Sequence, residues 1–326
     1  MFDGISCGYE ALNRAGYAVS SYVAFEIDKY AKSISRHNFP DIVQHGDVLD
    51  ADFSQYAGYD LVLGGSPCTF WSIARSKSRE VDKNGTGWKM FMRFVEAVRE
   101  IRPRYFLYEN VASMPPNIKE YISVELGCVP VLINSALVSA QSRKRLYWTN
   151  IEGITQPEDK GVLLKDILES GPTALASKSQ TILSTLYKEN ALSMVKRQKT
   201  GLFCAQRIGS GPIRLGSYAT GGQGNRVYSV QGKTVSFMAN GGGRGGKVGL
   251  YKIDLPDGDY IIRKLTVTEA ERCQNLVDGY TAYGINDNGK QVKISNTQRY
   301  KAIGNAWTVD VIAHILSHMN FLGGDC

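Results

Sequence analysis

Short apolar runs, each cut off by glycine, proline or an acid, alternate with amphipathic stretches through the first half of this chain. That alternation predicts βαβ units and a largely parallel sheet. Tyr22-Val23-Ala24-Phe25-Glu26 reads as a strand that ends on an acid, and Ile42-Val43 as a strand that closes at Gly46-Asp47. Leu61-Val62-Leu63 is stopped abruptly by Gly64, Gly65 and Pro67, and Arg104 to Tyr108 delivers Glu109-Asn110-Val111. Between these runs, Tyr9 to Ala15 is helical and closed by Gly16. Trp88 to Arg102 sets Phe91, Phe94, Val95, Val98 and Ile101 on one face before Pro103 ends it. Val129 to Leu137 is a further strand region. In the extended run that follows, alternation puts Gln141, Arg143 and Arg145 on one side.

From about residue 152 the character changes. Fourteen of the 34 glycines fall in 201–250, where two glycine-rich runs flank Arg226 to Val230, and Val235 to Met238 reads as another strand. Regular structure resumes near 262. Leu265 to Leu276 reads as a helix, with Thr266 and Glu269 at capping-box spacing. Arg299 to Trp307 reads as a loop entering a last helix, Val309 to Met319. The expected organisation is a first block, 1–151, an irregular β-rich insertion, 152–261, and a return to the first block, 262–326.

Charge sharpens this division. Residues 171–250 hold eleven Lys or Arg against the single acid Glu189, whereas the remainder is slightly acidic, within a chain of net charge +7. A local excess of this size favours a polyanion partner. No run of 18 apolar residues is present, so no membrane span is expected. The six cysteines are scattered, which argues against a disulfide framework or zinc site and for a reducing cytoplasm. His314 and His318 lie four apart with no further ligand nearby in sequence, and no metal is expected.

The candidate chemistry sits where strands end. In open α/β sheets, ligands bind at the carboxyl edge. Cys68 and Glu109 follow two strands onto that edge, with a polar loop after the cysteine. Alone, a free cysteine is more often structural, but here an acid and three long polar donors accompany it. The glycine turn Phe2 to Gly8 and the acid Glu26 suit a nucleoside, whose ribose hydroxyls a carboxylate can accept. G-x-G-x-x-G is absent from this turn, which disfavours a dinucleotide there. The first strand should already be ending at Phe2, so most of the roughly five residues of a central strand is missing.

These residues, in this order, resemble the C5-cytosine DNA methyltransferases of bacteria and phages, over 2–150 and 262–312. Gly65-Ser66-Pro67-Cys68 is similar to that family's nucleophile motif, Glu109-Asn110-Val111 to its E-N-V motif, and Gln141-x-Arg143-x-Arg145 to its Q-x-R-x-R motif. Phe2 to Gly8 resembles the first cofactor motif, although F-x-G-x-G-G has become F-D-G-I-S-C-G, a variant also similar to the vertebrate de novo enzymes. Arg263 to Gln274 resembles the ninth motif and Gly304-Asn305-Ala306-Trp307 the last.

The resemblance implies a Rossmann-like S-adenosylmethionine-dependent methyltransferase sheet with a smaller target-recognition domain, S-adenosylmethionine as cofactor, and a flipped cytosine in double-stranded DNA as substrate. It implies Cys68 as nucleophile, Glu109 as acid, and Arg143 and Arg145 as holders of the base and the carboxylate. It implies a cofactor site at Phe2, Gly4, Ser6, Gly8, Glu26, Ile27, Asp47, Val48, Pro67, Asn305, Ala306 and Trp307. DNA contacts are expected at Ser72, Gln141, Lys196, Arg197, Lys199, Arg226 and Arg244, in a monomer with a restriction-modification role. The alternatives are a catalytically impaired DNA-binding relative and a tRNA cytosine methyltransferase. The long basic segment favours DNA over the second.

Overall fold

The computed structural model describes residues 1–72, 79–169, 211–217, 225–236, 250–254, 260–263 and 265–321. Helix α1 (Cys7–Arg14) leads to strand β1 (Val23–Phe25), helix α2 (Lys29–Asn38) and strand β2 (Val43–His45), which pairs parallel with β1. Asp28 caps α2, its carboxylate accepting from the N–H groups of Tyr30 at 2.8 Å and Ala31 at 3.1 Å. These are donors that the first helical turn cannot satisfy internally.

Strand β3 (Leu61–Gly64) pairs parallel with β4 (Tyr105–Val111) across helix α3 (Thr86–Ile101). After α4 (Pro116–Leu126), β5 (Val131–Asn134) and β6 (Lys144–Thr149) complete a four-stranded sheet of order β3-β4-β6-β5, in which β6 runs antiparallel to both neighbours. The period of two is visible in the cores. Leu63 and Leu107 join Leu12, Ile312 and Ile315 on one face. Val62, Phe106 and Tyr108 join Phe91, Phe94 and Ile118 on the other.

Among the described residues, β1–β2 and β3-β4-β6-β5 are separate sheets, and residues 1–3 hydrogen-bond to both. The Met1 amino group donates to Leu63 O at 2.7 Å, and Asp3 N–H donates to Phe25 O at 3.1 Å. Beside Met1 lies an open cavity of about 480 Å³ lined by Leu12, Val23, Leu61, Leu63, Met319 and Phe321, among others.

The returning segment forms α5 (Val267–Cys273), an antiparallel hairpin over 283–293, and helices α6 (Asn296–Asn305) and α7 (Val309–Leu316). The capping box forms as expected: Glu269 N–H donates to Thr266 Oγ1 at 3.2 Å and Thr266 N–H to Glu269 Oε2 at 2.8 Å. Residues 299–305, expected as a loop, are instead the second half of α6. Tyr300 and Ile303, one helical turn apart, are buried against Leu265 and Ala270, and Tyr300 Oη donates to Leu265 O at 2.6 Å. That burial outweighs the loop character of Gly304 and Asn305. No helix among the described residues is long and apolar enough to cross a membrane.

In the insertion, β7 (Arg214–Ser217), β8 (Arg226–Ser229), β9 (Leu250–Asp254) and β10 (Tyr260–Arg263) form a sheet of order β10-β9-β8-β7. The hairpin strands of the return are β11 (Tyr283–Ile285) and β12 (Gln291–Lys293). Tyr228 and Tyr251 of the insertion share a core with Leu164, Leu265 and Val267. Thr234 ties this sheet to the first block: its N–H donates to Ala140 O at 2.6 Å and its carbonyl accepts from Ser142 N–H at 2.8 Å. The buried Lys233 ammonium donates to Ser139 O at 3.1 Å and to Val162 O. Val235 and Ser236, expected in a strand, lie just past this bridge without strand structure, and Phe237 and Met238 lie outside the described residues.

Candidate active site

The register of two parallel strands builds the centre of the site. Gly64 of β3 stands beside Tyr108 of β4, so Gly65 and Glu109 come next to each other at the carboxyl edge. Beyond Gly65, Ser66 is buried and shares a 2.6 Å hydrogen bond with Tyr108 Oη. The Asn110 amide donates to Ser66 O at 3.3 Å and to Tyr108 Oη at 3.2 Å. Burial pushes the Tyr108 phenol well above its ordinary range although Ser66 and Asn110 pull against it, so it stays protonated in this network. Pro67, exposed, then starts a 3-10 turn, Cys68–Phe70, whose first carbonyl accepts from Trp71 N–H at 3.2 Å and Ser72 N–H at 2.9 Å. Trp71 is fully buried and anchors this turn, leaving the Cys68 thiol half-buried at the edge of the sheet. Asn110, Ser66 and Tyr108 received no role in the sequence reading. The buried polar triplet across two strand ends was not visible there.

Glu109 is 8% exposed and held at both oxygens. Arg145 Nε lies 2.9 Å from Oε1, and Trp307 Nε1–H donates to Oε2 at 3.0 Å. The first contact follows from antiparallel register. Glu109 faces Tyr147 and Val111 faces Arg145, so Arg145 is the diagonal neighbour of Glu109 on the same face. Gly65 makes room, since a Cβ there would lie 3.1 Å from Glu109 Oε2 and 3.2 Å from Trp307 Nε1.

The three donors that alternation placed on one side all point inward, and they separate by task. Only Arg145 touches Glu109. Arg143, 5% exposed, donates to Gly304 O at 3.4 Å and Ala306 O at 3.1 Å, fastening the end of α6. Burial and the neighbouring Arg145 push its guanidinium down to about 10, with Glu109 and Cys68 pulling the other way, so it remains a cation at neutral pH beside both groups. Gln141 is fully buried and its amide donates to Cys273 O at 3.3 Å.

A cradle opens alongside. Phe25 of β1 and His45 of β2 are in register, so Glu26 and Gly46-Asp47 share one edge. Glu26 accepts from the N–H groups of Gly4 at 2.8 Å, Ile27 at 2.8 Å and Asp28 at 2.7 Å. Burial pushes its carboxyl up, against the pull of those donors. Gly4 takes a left-handed φ of 62° with open space beside it, and Gly46 is open likewise. Phe2 and Ser6 also carry positive φ, and buried Ser6 Oγ donates to Asp3 Oδ2 at 2.5 Å. Gly8 packs tightly: a Cβ there would lie 2.9 Å from Leu63 and from Tyr22 Oη, with the Trp307 ring beyond at 3.6 Å. Asp47 accepts from Leu49 N–H at 2.9 Å. The Val48 side chain is core, 4% exposed, and its carbonyl accepts from Arg93 Nε at 3.0 Å. Ile27 is 71% and Leu49 45% exposed, two apolar side chains flanking the cradle, and Leu49 escaped the sequence reading. Asn305 is exposed, Ala306 buried and Trp307 half-buried at its far wall.

This set fits a nucleoside: an anchored carboxylate for hydroxyls, open glycines for close approach and apolar flanks for a base. Among the described residues, no three His, Cys, Asp or Glu gather as metal ligands, and His314 Nε2 instead faces Thr155 O at 2.8 Å. Arg226 opens β8 and is half-buried, and Ser72 follows the cysteine turn. Lys196, Arg197, Lys199, Arg244 and both glycine runs lie outside the described residues.

The chain is 28% identical over 307 residues to the orphan methyltransferase M.Rho11sI of Bacillus phage rho11s, covering 78% of this chain and 60% of the relative's length. It is 24% identical over 318 residues to the type II methyltransferase M.HhaI of Haemophilus parahaemolyticus, covering 91% of this chain and 87% of that one. The fold is similar to that of the Entamoeba histolytica methyltransferase EhMeth, with a TM-score of 0.63 at 17% identity over 97% of this chain and 95% of that chain. It is also similar to that of the S. pombe Dnmt2 methyltransferase, with a TM-score of 0.60 at 16% identity over 97% of this chain and 95% of that chain. The sequence profile of the C-5 cytosine-specific DNA methylases matches residues 1–320, the whole of the strand-edge site included, and the chain belongs to that family.

Proposed function

We propose that this protein methylates C5 of a cytosine swung out of duplex DNA, using S-adenosylmethionine and a transient bond from Cys68 to C6. The observation that carries this reading is the pairing at one sheet edge of a half-buried thiol with a carboxylate clamped by Arg145 and Trp307. Cytosine C5 is a poor nucleophile. Addition of the Cys68 thiolate to C6 makes C5 enamine-like, while Glu109 shares a proton with N3 and so absorbs the charge that develops on the ring. Bound in the cradle, S-adenosylmethionine supplies the electrophilic methyl group. Glu26 and the Gly4 turn would hold its nucleoside, and Ile27 and Leu49 would flank its base. Loss of the C5 proton then restores the ring and expels the thiolate.

C6 is inaccessible inside a duplex, so the base must leave the stack. Residues 152–261, with most of the net positive charge, are in this reading the DNA-recognition domain, and Arg226 is its described base-reading candidate. The test uses duplex DNA carrying 5-fluorocytosine. Fluorine cannot depart from C5 as the proton does, so the adduct persists. The expected result is a complex stable to detergent that forms only with S-adenosylmethionine and not with Cys68→Ser. Methyl transfer to tRNA with none to any DNA would sink the DNA reading.

A further inference from the structure

We infer that Trp307 is a positioning residue for Glu109, its indole N–H holding the carboxylate oxygen that Arg145 leaves free. The inference deepens the methyl-transfer reading and rests on it. Last-motif residues were expected at the cofactor, and Trp307 does stand at that wall, near Gly8. Its polar atom points elsewhere. Nε1 donates to Glu109 Oε2 at 3.0 Å, while Arg145 Nε lies 2.9 Å from Oε1. An acid held at one oxygen can still rotate about its last torsion, whereas one held at both cannot. The indole can only donate, and Oε2 keeps a second lone pair for the base.

The surroundings are shaped for this bond. The ring passes Gly65, where a Cβ would lie 3.2 Å from Nε1 and 3.3 Å from Cζ2, so any larger residue would press on the indole or the carboxylate. The backbone before Trp307 is fixed through Ala306 O, which accepts from Arg143 at 3.1 Å and from the Gln274 amide at 3.4 Å. The residue after it is fixed by Thr308 Oγ1, which donates to Gln274 Oε1 at 2.8 Å. Trp307 therefore joins the cofactor wall to the acid through one rigid ring.

Trp307→Phe keeps the ring and removes the donor. The expected result is a single-turnover rate lower by about ten- to a hundredfold, the size of one hydrogen bond to a charged group, with the calorimetric Kd for S-adenosylhomocysteine changed less than about threefold and the melting temperature nearly unchanged. In a Glu109→Gln background the further loss should shrink to less than about threefold, since the two residues act as a unit. An equal loss in both backgrounds, or a Kd weakened by the whole factor, would overturn the inference and leave Trp307 as a cofactor wall. A readout without turnover separates this from the underlying reading. The indole N–H resonance that disappears in Trp307→Phe should shift in Glu109→Gln, and an unmoved resonance would refute the bond itself. Absence of methyl transfer by the wild-type protein would instead strike the functional reading.

Discussion

Cys68 owes its place to side chains that do not react. Ser66, Tyr108 and Asn110 lock the strand end, Pro67 turns the chain, and Trp71 anchors the turn from below. Cys68→Ser should therefore leave the fold and cofactor affinity intact while abolishing methyl transfer, because a hydroxyl is a far weaker nucleophile than a thiolate. Labelled methyl transfer beside a calorimetric binding curve checks both halves, and substantial residual turnover would exclude covalent catalysis by this residue. Cys68 and Glu109 could be read from sequence because strand punctuation is local. The partners of Glu109 and Arg143 could not. Trp307 is 198 positions from Glu109, and Ala306 is 163 from Arg143, and only the packed fold brings such residues together.

Among the elements, those with clean periodicity were legible. The apolar face of α3 and the alternation of β3 and β4 are local patterns that the cores reproduce. Helix α6 was not, because its second half ends in Gly304 and Asn305 and its burial depends on α5. The return segment is also pinned by a pair invisible in sequence. Glu271, fully buried in α5, lies 2.9 Å from Arg299 of α6 and accepts from the N–H groups of Gly279 and Thr281, each at 2.8 Å. Glu271→Ala should destabilise the protein by roughly 3–5 kcal/mol, since it strands a largely buried cation and three donors, the N–H groups of Gly279 and Thr281 and the Thr281 hydroxyl. Urea unfolding measures this, and a loss below about 1 kcal/mol would show that the pair is dispensable.

The cap of α2 gives a pH signature at the same scale. Burial works against the Asp28 carboxylate, but Lys301, 2.5 Å away, and the capped N–H groups outweigh it and hold its carboxyl below the ordinary value. A depressed folded-state value contributes stability above the unfolded value and loses it as pH falls through the folded one. The stability gap between wild type and Asp28→Ala should be about 1 kcal/mol at neutral pH. It should shrink as pH drops below about 4. A gap independent of pH down to acid unfolding would contradict the ion pair.

At the scale of the whole molecule, the strands of the first block form two sheets where the βαβ pattern promised one. β1 and β2 are three residues each, and residues 1–3 hydrogen-bond both to β1 and to β3. Their opening should be local and cheap compared with that of β4 and β6, which lie between two cores. Amide exchange in β1 and β2 is expected to run at least about tenfold faster than in the centre of β4. Equal protection would mean that the two sheets unfold as one. The split was not legible, because the hydrogen bonds of residues 1–3 to Phe25 and Leu63 join positions far apart in the chain.

The indole at the acid also makes the protein its own optical probe. Of four tryptophans, Trp71 and Trp148 are fully buried and Trp88 is 7% exposed, whereas Trp307 is half-buried beside a carboxylate. Emission from the first three reports the hydrocarbon interior and should ignore ligands, while emission from Trp307 feels both the charge on Glu109 and anything that fills the cradle. Titration with S-adenosylhomocysteine should thus change the long-wavelength edge of the intrinsic fluorescence, and Trp307→Phe should abolish that change while leaving the blue-edge emission in place.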